Sequence, residues 1–137
     1  MNGWEAEADV VVVGSGVAGL TAALDAAGRG LRVVVITKDG ADAGSTGWAQ
    51  GGVAVVLGDV PGDSVDAHVM DTLTAGAGLC DPGAVAAILA DGPAAVARLR
   101  ARGARFDGPA SRPDRTREGG HSALRVVHAG GDATGAE

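Results

Sequence analysis

Tyrosine is missing from this chain and phenylalanine occurs once, as Phe106, so aromatic side chains cannot dominate any core it builds. The lone Cys80 excludes an internal disulfide, and with it any sign of an oxidising compartment. It reads as a small packed residue near a turn rather than as a reactive thiol. No apolar run approaches the roughly 20 residues needed to span a bilayer, and the opening "MNGWEAEAD" carries acids where a secretory leader carries basic residues. These absences point to a soluble, cytoplasmic protein with no membrane contact. Positive charge is also scarce: the net charge of −6 argues against nucleic acid as a partner. Residues 1–97 hold three basic and twelve acidic side chains, a balance of −9, whereas residues 98–137 hold eight and five, a balance of +3. Either the second segment receives an anion, or Arg98, Arg100, Arg102 and Arg105 simply line a helix surface.

What the chain does have is glycine: 24 in 137 residues, grouped into short stretches between apolar runs. A chain of this length supports one core, burying roughly two thirds of its unfolded surface. "DVVVV", Asp9 to Val13, is a β-branched run of the kind buried in a parallel sheet, and it ends at Gly14. From Val17 the period changes to that of a helix, which stops near Gly28 and Gly30. "LRVVVIT", Leu31 to Thr37, is the second strand, completing a βαβ unit. Lys38 to Gly52 reads as a long loop, followed by a short strand in "VAVVL". A helix is expected over Ser64 to Ala75, capped by Asp63 or Ser64, with Val65, Val69 and Leu73 on one stripe and His68 packed or at the surface beside it. Pro82 and Pro93 each stand at a favourable first helical position, predicting two consecutive helices, the second ending at Gly103. "LRVVH", Leu124 to His128, is a further strand, and "GGDATGAE" resembles the start of another helix.

In "GSGVAG", Gly14, Gly16 and Gly19 have the G-x-G-x-x-G spacing, and the flanking strand and helix are the context that spacing requires. Gly14 permits the tight turn, Gly16 lets backbone approach a pyrophosphate, and Gly19 lets the helix pack on the strand. The helix start supplies amides and partial positive charge for the anion. The second strand ends in Thr37 and Lys38, where an acid would ordinarily accept bonds from a ribose; Asp39 is next in line. A lysine there is not the standard NAD pattern.

The strings "VVVVGSGVAGLTAAL", "VITK", "GSTGWAQGGVAVVL", "DSVDAHVMDTLTAGAGLCD", "TREGGHS" and "HAGGDATGAE" cover nearly all of residues 9–137. In this order they resemble the flavoproteins of the fumarate reductase and succinate dehydrogenase group, and within it the L-aspartate oxidases. The resemblance implies an α/β, Rossmann-like FAD-binding domain with a parallel sheet, of which residues 1–137 are the N-terminal part, without the substrate-capping and C-terminal helical domains. It implies FAD contacts at Gly14, Ser15, Gly16, Val17, Ala18, Gly19 and Lys38, and along Ser45, Thr46, Gly47, Trp48, Ala49, Gln50, Gly51 and Gly52. Backbone approaches a flat ring or a phosphate closely only where Cβ is absent, which suits the glycines of that loop. Trp48 either faces the cofactor or packs beneath the loop.

The same resemblance makes Glu118 the acid that meets the substrate, with Thr116, Arg117, His121 and Ser122 beside it near the flavin, unless Arg117 and His121 serve only loop hydrogen bonds. A carboxylate is chemically apt, because aspartate differs from succinate by an amino group that is positive in solution. The implied reaction takes L-aspartate to iminoaspartate with O2 or fumarate as acceptor, the first step of NAD synthesis from aspartate, with a quinolinate-forming enzyme as a downstream partner. A respiratory succinate or fumarate flavoprotein subunit and a dinucleotide-binding module without catalysis are the alternatives. Respiratory members of the group carry a histidine, joined covalently to the flavin, five residues before the loop glutamine; counted back from Gln50, that position is Ser45. FAD is therefore expected to be non-covalent. Acid precipitation of the holoprotein should leave the yellow colour in the supernatant; colour retained in the pellet contradicts the reading of Ser45.

Overall fold

The computed structural model describes residues 5–137, which form two compact units, one of residues up to 49 and one from 50 onward, apart from an exchange at the last residues. In the first unit, β1 (Val10–Val13) pairs in parallel with β2 (Val33–Ile36), Val10 opposite Val33 through Val13 opposite Ile36, and α1 (Val17–Gly28) forms the crossover. The βαβ unit is thus present with strands shorter than the apolar runs suggested. Arg32 fastens its lower edge: its amide and guanidinium both donate to the Asp9 carboxylate. Ala23 of α1 is buried, yet Val11 and Val13 are 56% and 82% exposed. A run of the kind that parallel sheets bury on both faces is here covered in part only. Residues 38–52 are a loop, as read, containing a one-turn 3-10 helix at Ser45–Trp48.

The second unit holds β3 (Val53–Ala54), α2 (Val65–Gly76), α3 (Pro82–Ala101) and β4 (Val126–Val127). β3 and β4 are antiparallel, Val53 opposite Val127, and the pairing continues where the Val55 amide donates to the Arg125 carbonyl at 2.8 Å. Val55, Val96 and Val127 form the buried cluster, with Val53, Leu57 and Phe106 against it. Beyond β4, residues 130–136 form turns rather than a helix. Among the described residues no helix is long and apolar enough to cross a membrane.

α2 starts where the sequence reading put it. The Ser64 hydroxyl accepts from the Ala67 amide at 3.0 Å, so Ser64 is the cap and Asp63 is left for another partner. After α2 the chain turns through Ala77 and Gly78, both at positive φ, and Cys80 packs against Gly76 with its Sγ 3.8 Å from the Thr72 carbonyl. Of the arginine-rich stretch, Arg98 and Arg100 lie on α3, Arg102 is its C-cap and Arg105 lies beyond it: Arg98 pairs with Asp91 at 2.7 Å, and the Arg100 guanidinium lies 5.8 Å from the Phe106 ring centre.

The expectation of two helices is corrected here: α3 is one helix of 20 residues with Pro93 inside it. Asp81 caps it, accepting from the Ala84 amide at 2.9 Å, and Pro82 is the true first-turn proline. Pro93 is tolerated because Gly92 precedes it: the clash that drives a residue before proline out of the helical region involves that residue's Cβ, which glycine lacks. A Cβ at Gly92 would also come within 3.4 Å of Val55 in the core. Pro93 still lacks an amide to donate, so Pro93→Ala should raise stability by about 1–2 kcal/mol after the entropy gained by the unfolded chain is deducted. A melting temperature that falls instead would show that the proline ring's own packing matters more than the missing bond.

Candidate functional site

The nucleotide end of the first unit is built from glycines and hydroxyls. Gly14 sits at φ +111 and donates to the Ile36 carbonyl at 2.8 Å, so the chain turns sharply off β1 in a backbone shape that L side chains rarely adopt. A Cβ on Gly19 would collide with the Gly14 carbonyl, which gives that glycine the helix-packing role its spacing implied. Gly16 is the cap of α1 and offers no side-chain acceptor, and the first turn carries no acid to compete with an anion. Thr46 does reach back: its hydroxyl accepts from the Val17 amide at 3.0 Å and stands 3.4 Å from where a Gly16 Cβ would be. Ser15 is buried, its hydroxyl 3.1 Å from that of Thr37. Val17, Ala18 and Lys38 are exposed around this corner. Asp39 turns its carboxylate onto the Gly40 amide of its own loop at 2.8 Å. A helix start without a side-chain acceptor on its cap residue, a first turn without an acid and an unacidic second-strand end fit a diphosphate-bearing cofactor.

Along the loop, Ser45, Gly47, Trp48 and Ala49 are exposed, Trp48 by 82%, so the tryptophan does not pack beneath its own loop. Gln50, Gly51 and Gly52 belong to the second unit. Nothing lies within 4 Å of a Cβ built on Gly51, whereas one on Gly52 would come to 2.5 Å of Val126 Cγ1 and of the Val127 carbonyl oxygen. The glycine at 52 is therefore demanded by β4, independently of any cofactor.

In the second unit, "TREGGHS" is the first part of a loop closed by a bridge: Thr116 donates to the Val126 carbonyl at 2.9 Å, and Val126 returns a bond to Thr116 at 3.1 Å. Glu118 is about half exposed, and His128 Nε2 lies 3.0 Å from its Oε1. The Thr116 hydroxyl is 3.1 Å from the same ring nitrogen and 3.4 Å from the same oxygen. Arg117 and Ser122 line an open recess of about 710 Å³ with Val60, Pro61, Gly62, Ala123 and Leu124.

His121 and Ser122 face a different centre. Arg125, with no side-chain exposure, sends one edge to Asp63 (2.6 Å) and one nitrogen to Asp71 Oδ2 (2.5 Å). Asp71 Oδ2 also accepts from the Ser122 amide at 2.7 Å and its hydroxyl at 2.8 Å. His121 Nδ1 is 3.2 Å from the Arg125 guanidinium, which has only donors, so that nitrogen is the acceptor. His68, 3% exposed, stacks at a tilt against His121 with ring centres 5.2 Å apart. The Ser122 amide, the Arg125 guanidinium and the Ser122 hydroxyl together hold the Asp71 carboxyl far below the usual carboxylate range. Burial would lower the Arg125 pKa, but its bonds to Asp63 and Asp71 outweigh that and raise it. Burial first, then the Arg125 charge and His121, lower the pKa of His68, which is neutral near pH 7.

Of the residues singled out from the sequence, Thr116 and Glu118 come together, and His121 and Ser122 are structural ties to α2. His128, Arg125 and Asp71 were not anticipated, and Asp63, read only as a possible helix cap, pairs with Arg125 instead. A charged residue directly before "VV" was the available signal for Arg125, because a strand entering a core buries what adjoins it.

A parallel βαβ turn with a glycine-capped, acid-free helix start, followed by a long loop of small residues, defines a dinucleotide-binding domain of the flavoprotein class. The chain belongs to the FAD binding domain family, which matches residues 9–137, and its cofactor is FAD. It is 60% identical over 136 residues to the L-aspartate oxidase of Streptomyces coelicolor, covering 98% of this chain and 23% of that protein. Among solved structures it is similar to the Mycobacterium smegmatis Sdh1 complex in the apo form, at 37% identity and TM-score 0.88, covering 95% of this chain and 22% of that one. It is also similar to the E. coli quinol fumarate reductase FrdA, at 31% identity and TM-score 0.84, covering 93% of this chain and 22% of that one. The chain thus spans 19 to 26% of the length of the L-aspartate oxidases it matches.

The buried histidine sets a pH dependence. Because the folded-state pKa of His68 is lowered, the unfolded chain binds its proton first, and stability is lost as pH falls below the unfolded value of about 6.5. Melting temperatures should fall from pH 7 to pH 5, with a shallower fall in His68→Gln; parallel curves for the two proteins would assign the dependence to other groups.

Proposed function

We infer that this chain is the N-terminal part of the FAD-binding domain of an L-aspartate oxidase, the substrate-capping and C-terminal helical domains lying outside it. The observation that carries this is Glu118: a half-exposed carboxylate gripped at one oxygen by His128 and Thr116, its Oε2 without a hydrogen-bond partner among the described residues. Identity of 60% to an L-aspartate oxidase supports the same reading.

In the reaction, L-aspartate gives up two electrons and two protons as its Cα–N single bond becomes the C=N bond of iminoaspartate. FAD, when bound, supplies the two-electron acceptor, and O2 or fumarate takes the electrons on as peroxide or succinate. This chain's own residues bind and orient. Gly14, Gly16 and Gly19 let backbone approach the diphosphate at the start of α1, where the Thr46 hydroxyl accepts from the Val17 amide. Ser15 and Lys38 flank the same corner, and the run from Ser45 to Gly52 borders the cofactor. Ser45 cannot form the covalent link that a histidine makes, so the flavin is held by contacts alone. Glu118 attracts the substrate's ammonium group, and Arg117 beside it in sequence lines the neighbouring open recess. The product imine hydrolyses readily, which suits direct use by a quinolinate-forming enzyme in NAD synthesis.

Similarity to Sdh1 and FrdA keeps a respiratory flavoprotein subunit as the second reading. Ser45 and Glu118 weigh against it. A module that binds a dinucleotide without catalysis has no use for an ammonium-seeking carboxylate. In the full-length enzyme, Glu118→Gln should raise KM for L-aspartate about 10- to 100-fold while fumarate reduction changes much less. Equal effects on the two substrates, or no aspartate oxidation by the unaltered enzyme, would overturn the assignment.

A further inference from the structure

Glu118 has a long side chain and is followed by two glycines, Gly119 and Gly120, the latter at φ +83. Left alone, such a side chain would sample many rotamers, and fixing it would cost entropy at the moment of substrate binding. The second unit supplies what fixes it. His128 follows β4, between Val127 (0% exposed) and Ala129 (2%), and its carbonyl accepts from the Asp107 amide at 2.8 Å. Its ring lies beside Gly52, where a Cβ would come to 2.8 Å of Cε1, so backbone without a side chain makes room for the imidazole.

We propose that His128 is a positioning residue for Glu118: its ring, with a proton on Nε2, holds Oε1 so that Oε2 faces the ammonium group of the substrate, making His128 a determinant of selectivity for an amino dicarboxylate over a plain dicarboxylate. The proposal rests on the reading of Glu118 given above. The tautomer follows from the partners, since Nε2 lies 3.0 Å from a carboxylate oxygen that can only accept. The Thr116 hydroxyl, 3.4 Å from Oε1, donates to the same oxygen. With both donors on Oε1, the free lone pairs are on Oε2.

The other charged groups around the ring are committed elsewhere or lie farther along its recess. Asp107 accepts from the Gly130 and Gly131 amides, both at 2.9 Å, and Arg115 is bonded to both oxygens of Asp59, at 2.6 and 2.8 Å. Asp114 and Asp132 line, with His128 and Thr116, a second open recess separate from that of Arg117, but Glu118 is the carboxylate that pairs with the ring.

The test is steady-state kinetics of the full-length holoenzyme with L-aspartate and, in the reverse sense, with fumarate. His128→Leu should raise KM for L-aspartate about tenfold relative to KM for fumarate, as expected for loss of a hydrogen bond to a charged group. His128→Asn, whose amide reaches only as far as Nδ1, should behave like the leucine variant. His128→Gln, whose amide nitrogen reaches the place of Nε2, should restore most of the selectivity. Adding His128→Leu to Glu118→Gln should do no further harm. If the leucine variant does not fold, the asparagine and glutamine pair carries the comparison. KM shifts of equal size for both substrates, or restoration by asparagine and not by glutamine, would overturn the proposal while Glu118→Gln still impairs aspartate binding. An unimpaired Glu118→Gln enzyme would bring down the Glu118 reading and this proposal together.

Discussion

Arg125 is the constraint on which the second unit is organised. A guanidinium without solvent contact is costly to desolvate, and it persists only because Asp63 and Asp71 surround it with charge and well-directed bonds. Each partner comes from a different place: Asp63 immediately precedes the cap of α2, Asp71 lies within that helix, and Arg125 leads into β4. The ion pairs therefore lock helix start, helix body and strand to one another. Removing one partner of such a group typically costs about 3–5 kcal/mol, because the charge left behind remains buried. Ser122 and His121 attach the "TREGGHS" loop to the same centre, so the segment that carries Glu118 inherits its position from a salt bridge it does not itself join.

That dependence explains why some features were legible in the sequence and others were not. The βαβ turn is local: β-branched run, glycine spacing and helical period all lie within one stretch, and each dictates its own geometry. The cap of α2 is local as well. Arg125, by contrast, reaches Asp63 and Asp71 across separations of 62 and 54 residues, and no periodicity encodes such a pairing. The two-helix reading of residues 82–101 failed for a related reason. Gly-Pro is ordinarily a helix boundary, but here glycine removes the clash with the proline and simultaneously lets the helix lie against Val55. Tertiary packing overrode a sound local rule.

Glycine shows the same split between local and tertiary causes. Gly14 is required by its own φ, and Gly19 by the carbonyl of Gly14 within the same turn. Gly52 looks from the sequence like its neighbour Gly51, one more small residue in a loop that borders a cofactor. Its surroundings differ: Gly51 opens onto free space, while Gly52 is pressed against Val126, Val127 and His128. A single motif thus contains one position suited to a ligand's approach and one set by a strand, and only the three-dimensional neighbours separate them.

The two carboxylates nearest the "TREGGHS" loop show how environment assigns role. Asp71 Oδ2 accepts an amide, a hydroxyl and a guanidinium nitrogen, which leaves that carboxylate ionised but with its charge already compensated. A substrate cation would gain little from it. Glu118 is held by one imidazole N–H and one hydroxyl on a single oxygen, and its side chain is about half exposed. Similar side chains are thereby separated into one that builds the fold and one left available for binding, and the difference lies in how many donors each carboxylate meets and how far each is exposed.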